Sequence, residues 1–356
     1  MRQLIKPSAL QQGDIVATVS LSWDGAGLFP ERYKQGKEQF EKAFGVKIIE
    51  MPNSLQVGLY DNPLLRLEDL MCAFKNPEVK AILTNIGGSD TIRLLNYMTN
   101  EHFEIMANNP KIFLGMSDTT ANHFMCLKAG LSSFYSPSTL YGYAENGGVP
   151  EFIVNNTKKV LFNKEPVGTL PESNEFIWEK VYWDDKNDIV RQKLPSNGWR
   201  YIQGSEKSQG RLIGGCMEVL SMINGSIIWP ALSDWDDTIL FVETSEDMPS
   251  TDTFLYFMRN LGAQGILAKL KGILFARPGG EFKKDKIAER DAWIERYAKY
   301  DNVLIKVCKE YNRTDLPIVT NMDFGHTVPQ VILPYGAMCE IDPVNKKVNI
   351  LESAVI

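Results

Sequence analysis

The chain has 356 residues, of which 44% are hydrophobic and 23% charged, and a net charge of −6. This length predicts about two globular domains, and the acidic balance argues against a nucleic acid polymer as partner, because phosphate binding needs a basic surface. No apolar run long enough to span a membrane and no secretory signal is recognisable. The five widely spaced cysteines lack any C-x-x-C pattern, which predicts free thiols in a cytoplasmic protein and no zinc site.

Strands and helices alternate along the first part of the chain. Apolar strands are predicted at 14–20, 46–51, 79–84 and 112–114, followed in turn by predicted helices at 30–44, 63–74, 91–98 and 119–129. This alternation predicts a parallel sheet with helices on both faces, and ligands bind such sheets beyond the carboxyl ends of the strands. The turns that contain Gly25, Gly88 and Ser117 all follow strands, so we expect them at that edge.

The composition changes after residue 145. Residues 145–155 and 163–193 are rich in Pro, Gly, Asn and charge, which predicts a linker with irregular strands, and 198–210 is predicted as an exposed loop. Beyond it, strands are predicted at 211–215, 238–243, 272–275, 317–320 and 331–333, and helices at 217–223, 251–261 and 285–299. The expected organisation is an N-terminal domain over 1–160, a linker over 161–196 and a C-terminal domain over 197–356.

A serine stands where the fourth strand turns into its helix. The strand at 112–114 leads through Gly115 to Ser117, and the helix is predicted from Thr119 onward. A serine in this position has an exposed hydroxyl beside the N–H groups that open a helix, which is the geometry of a nucleophile elbow. The common pattern is G-x-S-x-G, and Thr119 departs from it. The alternative is an ordinary helix start with Ser117 or Asp118 as N-cap.

Two more polar residues stand at the ends of apolar strands. Glu243 ends the strand at 238–243, and His326 lies in a loop between two strands. Each also has a structural alternative, since a strand-end carboxylate can bond to its own loop and a loop histidine is often structural. Glu246 and Asp247, which follow Glu243, are interpreted as solvated loop charges or as the start of the next helix.

The other two histidines are poorer candidates for a base. His123 falls on the predicted helix, about 9 Å along its axis from Ser117, and is expected to pack or to bond to a structural partner. His102 lies in a polar context at a helix start and is expected to be exposed.

The three strand-end residues follow one another as Ser, Glu and His, the order found in α/β-hydrolases. Acyl transfer needs a hydroxyl nucleophile, an imidazole that titrates near neutrality to accept its proton, and a carboxylate that orients the imidazole. It also needs two donors for the oxyanion. The N–H of Asp118 and one from the turn at Gly87 and Gly88 are suitably placed by topology.

Several short motifs occur together in one order, at 13–20, 85–95, 115–118, 210–215, 241–244 and 324–327. With these motifs the chain resembles the LD-carboxypeptidase family of serine peptidases, which includes the microcin C immunity proteins. The resemblance implies a flavodoxin-like N-terminal domain and a smaller, β-rich C-terminal domain. It also implies a homodimer without metal or cofactor. It assigns the nucleophile, the base, the orienting carboxylate and the two oxyanion amides to Ser117, His326, Glu243, Gly88 and Asp118.

The first glycine turn favours one branch of the family. Murein LD-carboxypeptidases usually carry Arg-Gly-Gly-Tyr-Gly there, whereas this chain has Gly-Gly followed by Ser89, which is similar to the immunity branch. That branch cleaves an amide between an aminoacyl group and a nucleotide analogue. Candidate substrate-binding residues are Ser89, Trp199, Arg200, Cys216 and Asp247. The indole of Trp199 could stack on a base, while Cys216 and Asp247 stand where immunity proteins tend to carry Asn and a basic residue.

Two other functions remain open at this stage. One is a murein LD-carboxypeptidase that removes a terminal D-amino acid from muropeptides, for which Arg200 would bind the terminal carboxylate. The other is a small-ligand-binding protein on the same scaffold, in which Ser117 serves only as a helix cap.

Overall fold

The computed structural model describes residues 3–179, 183, 189–280 and 287–356. In the first part of the chain, strands and helices alternate as the sequence predicts. The strands are β1 (Ile15–Val19), β2 (Lys47–Glu50), β3 (Val79–Thr84), β4 (Ile112–Gly115) and β5 (Phe134–Tyr135). The helices are α1 (Gly25–Leu28), α2 (Pro30–Phe44), α3 (Pro63–Lys75), α4 (Asn100–Asn108), α5 (Thr120–Ala129) and α6 (Glu151–Leu161).

The second part of the chain contains the remaining strands and helices. The strands are β6 (Gly168–Thr169), β7 (Glu175–Ile177), β8 (Lys193–Pro195), β9 (Arg200–Gln203), β10 (Ser208–Cys216), β11 (Thr238–Glu243), β12 (Leu270–Ala276), β13 (Ile318–Met322), β14 (Leu333–Pro334), β15 (Met338–Asp342) and β16 (Lys347–Ile350). The helices are α7 (Met217–Ile223), α8 (Thr251–Ala263), α9 (Ile266–Lys269) and α10 (Ile287–Glu310).

The first sheet has six strands in the order β14-β5-β4-β3-β1-β2. Its five N-terminal strands are parallel, and their order is that of flavodoxin-like sheets, as expected from the resemblance. Strand β14 pairs antiparallel with β5. The strand predicted at 331–333 was assigned to the second domain, so this assignment is wrong: the chain returns to the first sheet. This return places the loop before β14 beside the carboxyl end of β4.

The second sheet has eight strands in the order β6-β16-β15-β10-β11-β12-β13-β9. The central four, β10 to β13, are parallel, and the outer ones are antiparallel. A β-rich second unit is therefore confirmed, although its sheet has more strands than the first. Strands β7 and β8 form a separate two-stranded ribbon.

Local sequence explains most of these elements. Helix α2 begins with Pro30, whose fixed φ suits the first helical position, and ends at Gly45, whose φ of 69° forms a left-handed C-cap. Its buried face carries Tyr33, Phe40 and Phe44, which pack on the sheet at helical spacing. The parallel strands are apolar almost throughout because helices cover both of their faces.

Three predicted segments differ from the structure. Residues 91–98 form only a 3₁₀ turn over Thr91–Asn96. The supposed linker over 145–155 contains the start of α6, whose buried Ile153 anchors it to the core. The supposed loop over 198–210 contains β9 and the start of β10, because both pair with neighbouring strands. Helix α4 was not predicted.

Among the described residues, no helix is both long and apolar enough to cross a membrane. All five cysteines are free, and Cys72 is the exposed one.

Candidate active site

Ser117 stands in a strained turn at the carboxyl end of β4. The four residues of β4 are buried, and Ser117 follows them with a φ of 60°, which is rare for a residue other than glycine. No side-chain cap bond forms at this helix start, so the N-cap alternative is wrong. The backbone N–H of Ser117 donates to the Tyr135 hydroxyl over 3.0 Å. This conformation is typical of a nucleophile elbow.

The turn at Gly87 and Gly88 lies directly against this serine. A Cβ at Gly87 would stand 2.8 Å from the Ser117 Cβ and 3.0 Å from the Asp118 nitrogen. A Cβ at Gly88, whose φ is 149°, would stand 2.3 Å from the Ser22 hydroxyl. Only glycine fits at both positions, and the absence of side chains brings the turn's backbone close to the Ser117 hydroxyl and the Asp118 amide.

The Asp118 side chain fastens the two turns together. It is fully buried, and its Oδ2 accepts bonds from the Ser22 hydroxyl over 2.6 Å and from the amides of Asp90 and Thr91 over 2.9 and 2.8 Å. Asp90 is paired in turn with the buried guanidinium of Arg66 over 2.8 Å. The carboxylate of Asp118 therefore fixes the positions of its own amide and of the glycine turn.

His326 and Glu243 form a buried pair. The imidazole Nδ1 lies 2.6 Å from the Glu243 Oε2, with Glu243 fully buried and His326 7% exposed. The other oxygen of Glu243 accepts a short bond from the Tyr135 hydroxyl. Tyr135 thus contacts both the Ser117 amide and the Glu243 carboxylate, and it links the two sheets at this site. The sequence analysis missed Tyr135 because it lies on a strand of only two residues.

A second carboxylate contacts the same imidazole. The Glu246 Oε2 lies 3.2 Å from the His326 Nε2. Glu246 is an exposed loop charge, as interpreted from the sequence, but its contact with the imidazole was not predicted. Burial alone would lower the pKa of His326, but the charges of Glu243 and Glu246 outweigh it and raise this pKa to about 10. These two charges favour a pKa of His326 above the near-neutral range expected for the base.

Behind these groups lies a third carboxylate, Glu218 on α7. It accepts bonds from the Ser245 amide and hydroxyl over 3.0 and 2.6 Å, and burial together with the charge of Glu243 raises its pKa. The thiol of Cys216 donates to it over 3.3 Å, and Cys216 is only 1% exposed. The thiol of Cys216 faces the interior in this arrangement, and its contact with a substrate stays a prediction.

Trp199 and Arg200 have partners of their own at the edge of the second sheet. The indole N–H of Trp199 donates to Asp323 over 2.8 Å, and Arg200 pairs with Asp301 over 2.9 Å. Neither was predicted to be engaged in this way, because strand β9 was taken for a loop. Ser89 and Asp247 are exposed, Ser89 in the turn beside Ser117 and Asp247 in the loop that holds Glu246. Their predicted contacts with substrate remain predictions.

An aromatic cluster that the sequence analysis missed adjoins the glycine turn. The Trp23 amide donates to the Gly87 carbonyl over 3.1 Å. The rings of Trp23 and Trp183 are stacked 6.2 Å apart, and the ring of Phe29 packs edge-on against both. The Arg32 guanidinium lies 5.3 Å from the Trp183 ring. The cluster adjoins the glycine turn that packs against Ser117. The contact of Trp23 and Phe29 with Trp183 could not be inferred from the sequence because Trp183 lies far from them along the chain.

The remaining histidines are structural. His123 is fully buried, bonds to Ser133 and to the Gly115 carbonyl, and has its pKa lowered by burial to about 3, as its predicted packing role requires. His102 closes a capping box with Thr99 and is half-buried rather than exposed. Within the described ranges, no three His, Cys, Asp or Glu side chains are grouped in a way that could hold a metal ion.

Comparison with known proteins agrees with this geometry. The model of the LD-carboxypeptidase N-terminal domain matches residues 16–136, and that of the LD-carboxypeptidase C-terminal domain matches residues 209–341. These ranges contain Ser117 and Glu243, with His326 inside the second.

Individual relatives cover nearly the whole chain. The microcin C7 self-immunity protein MccF of Escherichia coli is 27% identical over 96% of this chain and 94% of its own length. The "Probable murein peptide carboxypeptidase" of Bacillus subtilis (strain 168) is 24% identical over 98% of this chain and 95% of its own. An MccF-like protein from Streptococcus pneumoniae, crystallised with AMP, superimposes with a TM-score of 0.82 at 27% identity, over 96% of this chain and 99% of its own. The chain belongs to the LD-carboxypeptidase family.

Proposed function

We propose that this chain is a serine hydrolase that cleaves an amide bond, with Ser117 as nucleophile, His326 as base and Glu243 as the group that orients the base. The observation that carries the proposal is that the Tyr135 hydroxyl bonds to both the Ser117 amide and the Glu243 carboxylate, which brings the Ser117 turn beside the Glu243–His326 pair. The strained Ser117 turn comes from the first sheet, while the buried Glu243–His326 pair, 2.6 Å apart, comes from the second.

The roles follow from the proton positions. Glu243 accepts the Nδ1 proton of His326, which leaves Nε2 as the nitrogen that can take the proton of the Ser117 hydroxyl. The serine oxygen attacks the amide carbon, and Nε2–H then protonates the leaving nitrogen, so that the amide breaks to an acyl-serine. Water repeats the sequence with the same base and releases the acid.

The negative oxygen of the tetrahedral intermediate needs donors that are in place beforehand. We assign this role to the amides of Gly88 and Asp118. The close approach of the glycine turn to Ser117 supports the assignment, as does the three-bonded Asp118 carboxylate that holds the two turns together. Donors held in this way stabilise developing charge without rearrangement during the reaction.

For the substrate we favour an amide between an aminoacyl group and a nucleotide-like leaving group. Two observations support this choice: the similarity to MccF and to an MccF-like protein that binds AMP, and the aromatic cluster of Trp23, Phe29 and Trp183 beside the glycine turn. A base stacked on such rings gains about 1–3 kcal/mol. We assign the stacking surface to this cluster rather than to Trp199, whose indole N–H is held by Asp323.

Hydrolysis of a substrate panel tests the proposal. We expect the purified protein to cleave an aminoacyl-sulfamoyl adenosine faster than an LD-muropeptide, and Ser117→Ala to cleave neither. Preference for the muropeptide would support a murein carboxypeptidase, as in the Bacillus subtilis relative's name. Tight binding of either compound without turnover by the wild type would support a binding protein.

Three further features belong to the proposal. We expect a homodimer, to be measured by light scattering, and activity that survives EDTA, since the assigned chemistry uses only side chains and amides. We also expect a cytoplasmic location, which fractionation of cells with an antibody would check.

A further inference from the structure

The contact of Glu246 with the imidazole of His326 bears on the protonation of that imidazole, which the Glu243 contact alone leaves open. With Nδ1–H donated to Glu243, a neutral imidazole would present a bare Nε2 to the Glu246 carboxylate at 3.2 Å. Two acceptors avoid such an approach, so a protonated Nε2 is the state that fits this ion-pair distance. The imidazole is then a cation held between two carboxylates, and it cannot accept the proton of Ser117.

The backbone beside Glu246 is fixed, so the contact does not depend on a loose loop. Ser245 bonds to the buried Glu218 through both its amide and its hydroxyl. The Thr244 carbonyl accepts from the Gly279 amide over 3.1 Å. The Glu246 side chain is 50% exposed and therefore has room to turn. Rotation of that side chain is sufficient to uncover Nε2.

We propose that Glu246 holds His326 in a protonated resting form, and that a cationic group next to the scissile amide draws the Glu246 carboxylate away and so frees Nε2 to act as base. This inference rests on the proposed function. The fitting substrate class is an aminoacyl amide with a free α-ammonium group, because that ammonium lies one carbon from the carbonyl that Ser117 attacks. The proton leaves Nε2 for solvent, and no covalent bond changes in this step.

The charges around His326 are consistent with this role. The carboxylates facing the imidazole are Glu243 from β11, Glu246 from the following loop and Glu218 from α7. The hydroxyl of Tyr141 donates to the backbone carbonyl of His326. On the far side, Arg277 contacts Thr327 and is paired with the buried Asp323. Among these groups Glu246 is the exposed carboxylate, so it is the one that a bound substrate can reach.

The protonation of His326 can be measured without turnover. The chain has three histidines, so ¹⁵N-histidine NMR can follow each ring, with His326→Gln assigning the signal. We expect Glu246→Gln to lower the pKa of His326 by at least about 1, as removal of a contacting opposite charge does. Asp252→Asn, which removes an exposed charge in the first turn of α8, is the matched control and should leave this pKa in place.

Kinetics test the substrate part of the inference. We compare kcat/KM from pH 5 to 10 for an aminoacyl-sulfamoyl adenosine and its N-acetyl form. The wild type should favour the free amine about tenfold or more, and Glu246→Gln should lose that preference. At a pH below both pKa values, a pKa lowered by 1 leaves about ten times more neutral imidazole, so Glu246→Gln should be correspondingly faster on the N-acetyl form.

The outcomes separate the two proposals. An unchanged His326 pKa in both Glu246→Gln and Glu246→Ala overturns the resting contact. An unchanged preference for the free amine in these variants overturns the selection of a cationic substrate. Neither result touches the triad, which fails if Ser117→Ala keeps its activity.

Discussion

Backbone geometry holds Ser117 in place after strand β4 of the first sheet. Charge, in contrast, holds His326 in the loop that follows β13 of the second sheet. The serine owes its place to a φ of 60° and to a glycine turn that no side chain could replace. The imidazole owes its place to carboxylates on both ring nitrogens. A nucleophile needs a fixed position, whereas a base needs a suitable proton affinity. The surroundings of the two residues therefore meet different requirements.

The largest expected effect on kcat comes from removal of the nucleophile, Ser117, which follows a strand of the first sheet. Ser117→Ala should lower kcat by at least about 10⁴-fold, because the hydroxyl that forms the acyl intermediate is lost. The exposed Ser205→Ala is the matched control and should retain wild-type rates. Unfolding curves should coincide, since Ser117 is partly exposed. Activity of Ser117→Ala within tenfold of the wild type would contradict the assignment.

The next largest effect is expected for Glu243, and it distinguishes the role of Glu243 from that of Glu246, the two carboxylates that contact the imidazole. Glu243→Gln should lower kcat by about 10³–10⁴-fold, because the amide cannot hold the imidazole in the required tautomer or stabilise its cation. Glu246→Gln should leave kcat intact or raise the rate at neutral pH. Parallel pH–rate profiles measure both. Equal losses of kcat in the two variants would show that the carboxylates at Nδ1 and Nε2 have the same role.

Each half contains a buried Arg–Asp pair, and these two pairs allow the stability of the two parts to be compared. Arg66 pairs with Asp90 near the Ser117 turn, and Arg277 pairs with Asp323 near His326. Arg277→Met should lower the free energy of unfolding by about 3–5 kcal/mol, because it leaves the buried Asp323 without its cation. Arg66→Met should lower it by less, because Arg93 remains 3.1 Å from Asp90. Urea denaturation followed by tryptophan fluorescence measures this loss. A change below about 1 kcal/mol in Arg277→Met would mean that the remaining carboxylate finds other partners.

The smallest expected effect concerns the substrate surface. Trp183→Ala should raise KM for an adenylate-like substrate by roughly tenfold and leave a muropeptide nearly unaffected, because only the base stacks. Trp199→Ala is the matched control, and it should change stability rather than KM because its indole bonds to Asp323. A raised KM in Trp199→Ala with an unchanged KM in Trp183→Ala would instead assign the stacking to Trp199.

Much of the fold could be predicted because its signals are local. The strand-end positions of Ser117, Glu243 and His326 followed from apolar runs and the residues that end them. Strand β9 could not be recognised, because pairing with β13 rather than its own pattern makes it a strand. Strand β14 was predicted but placed in the wrong sheet, since its partner β5 lies almost two hundred residues earlier. Propensity does not report such distant pairing.

Distant contacts also explain which features of the site could not be predicted from the sequence. The contact of Glu246 was not predicted because a loop carboxylate gives no sign of the imidazole that another strand brings to it. Tyr135 and Trp183 were missed because their roles depend on contacts across the sheets. The pKa of His326 depends on charges from three elements, and no sequence window contains them.

Covalent labelling of Ser117 tests the central claim most directly. We expect a fluorophosphonate probe to add one equivalent to the wild type, with peptide mass spectrometry placing it on Ser117. Ser117→Ala should remain unlabelled, His326→Ala should label far more slowly, and His102→Ala should label at the wild-type rate. Labelling at another residue, or hydrolysis of the substrate by Ser117→Ala, would contradict the account.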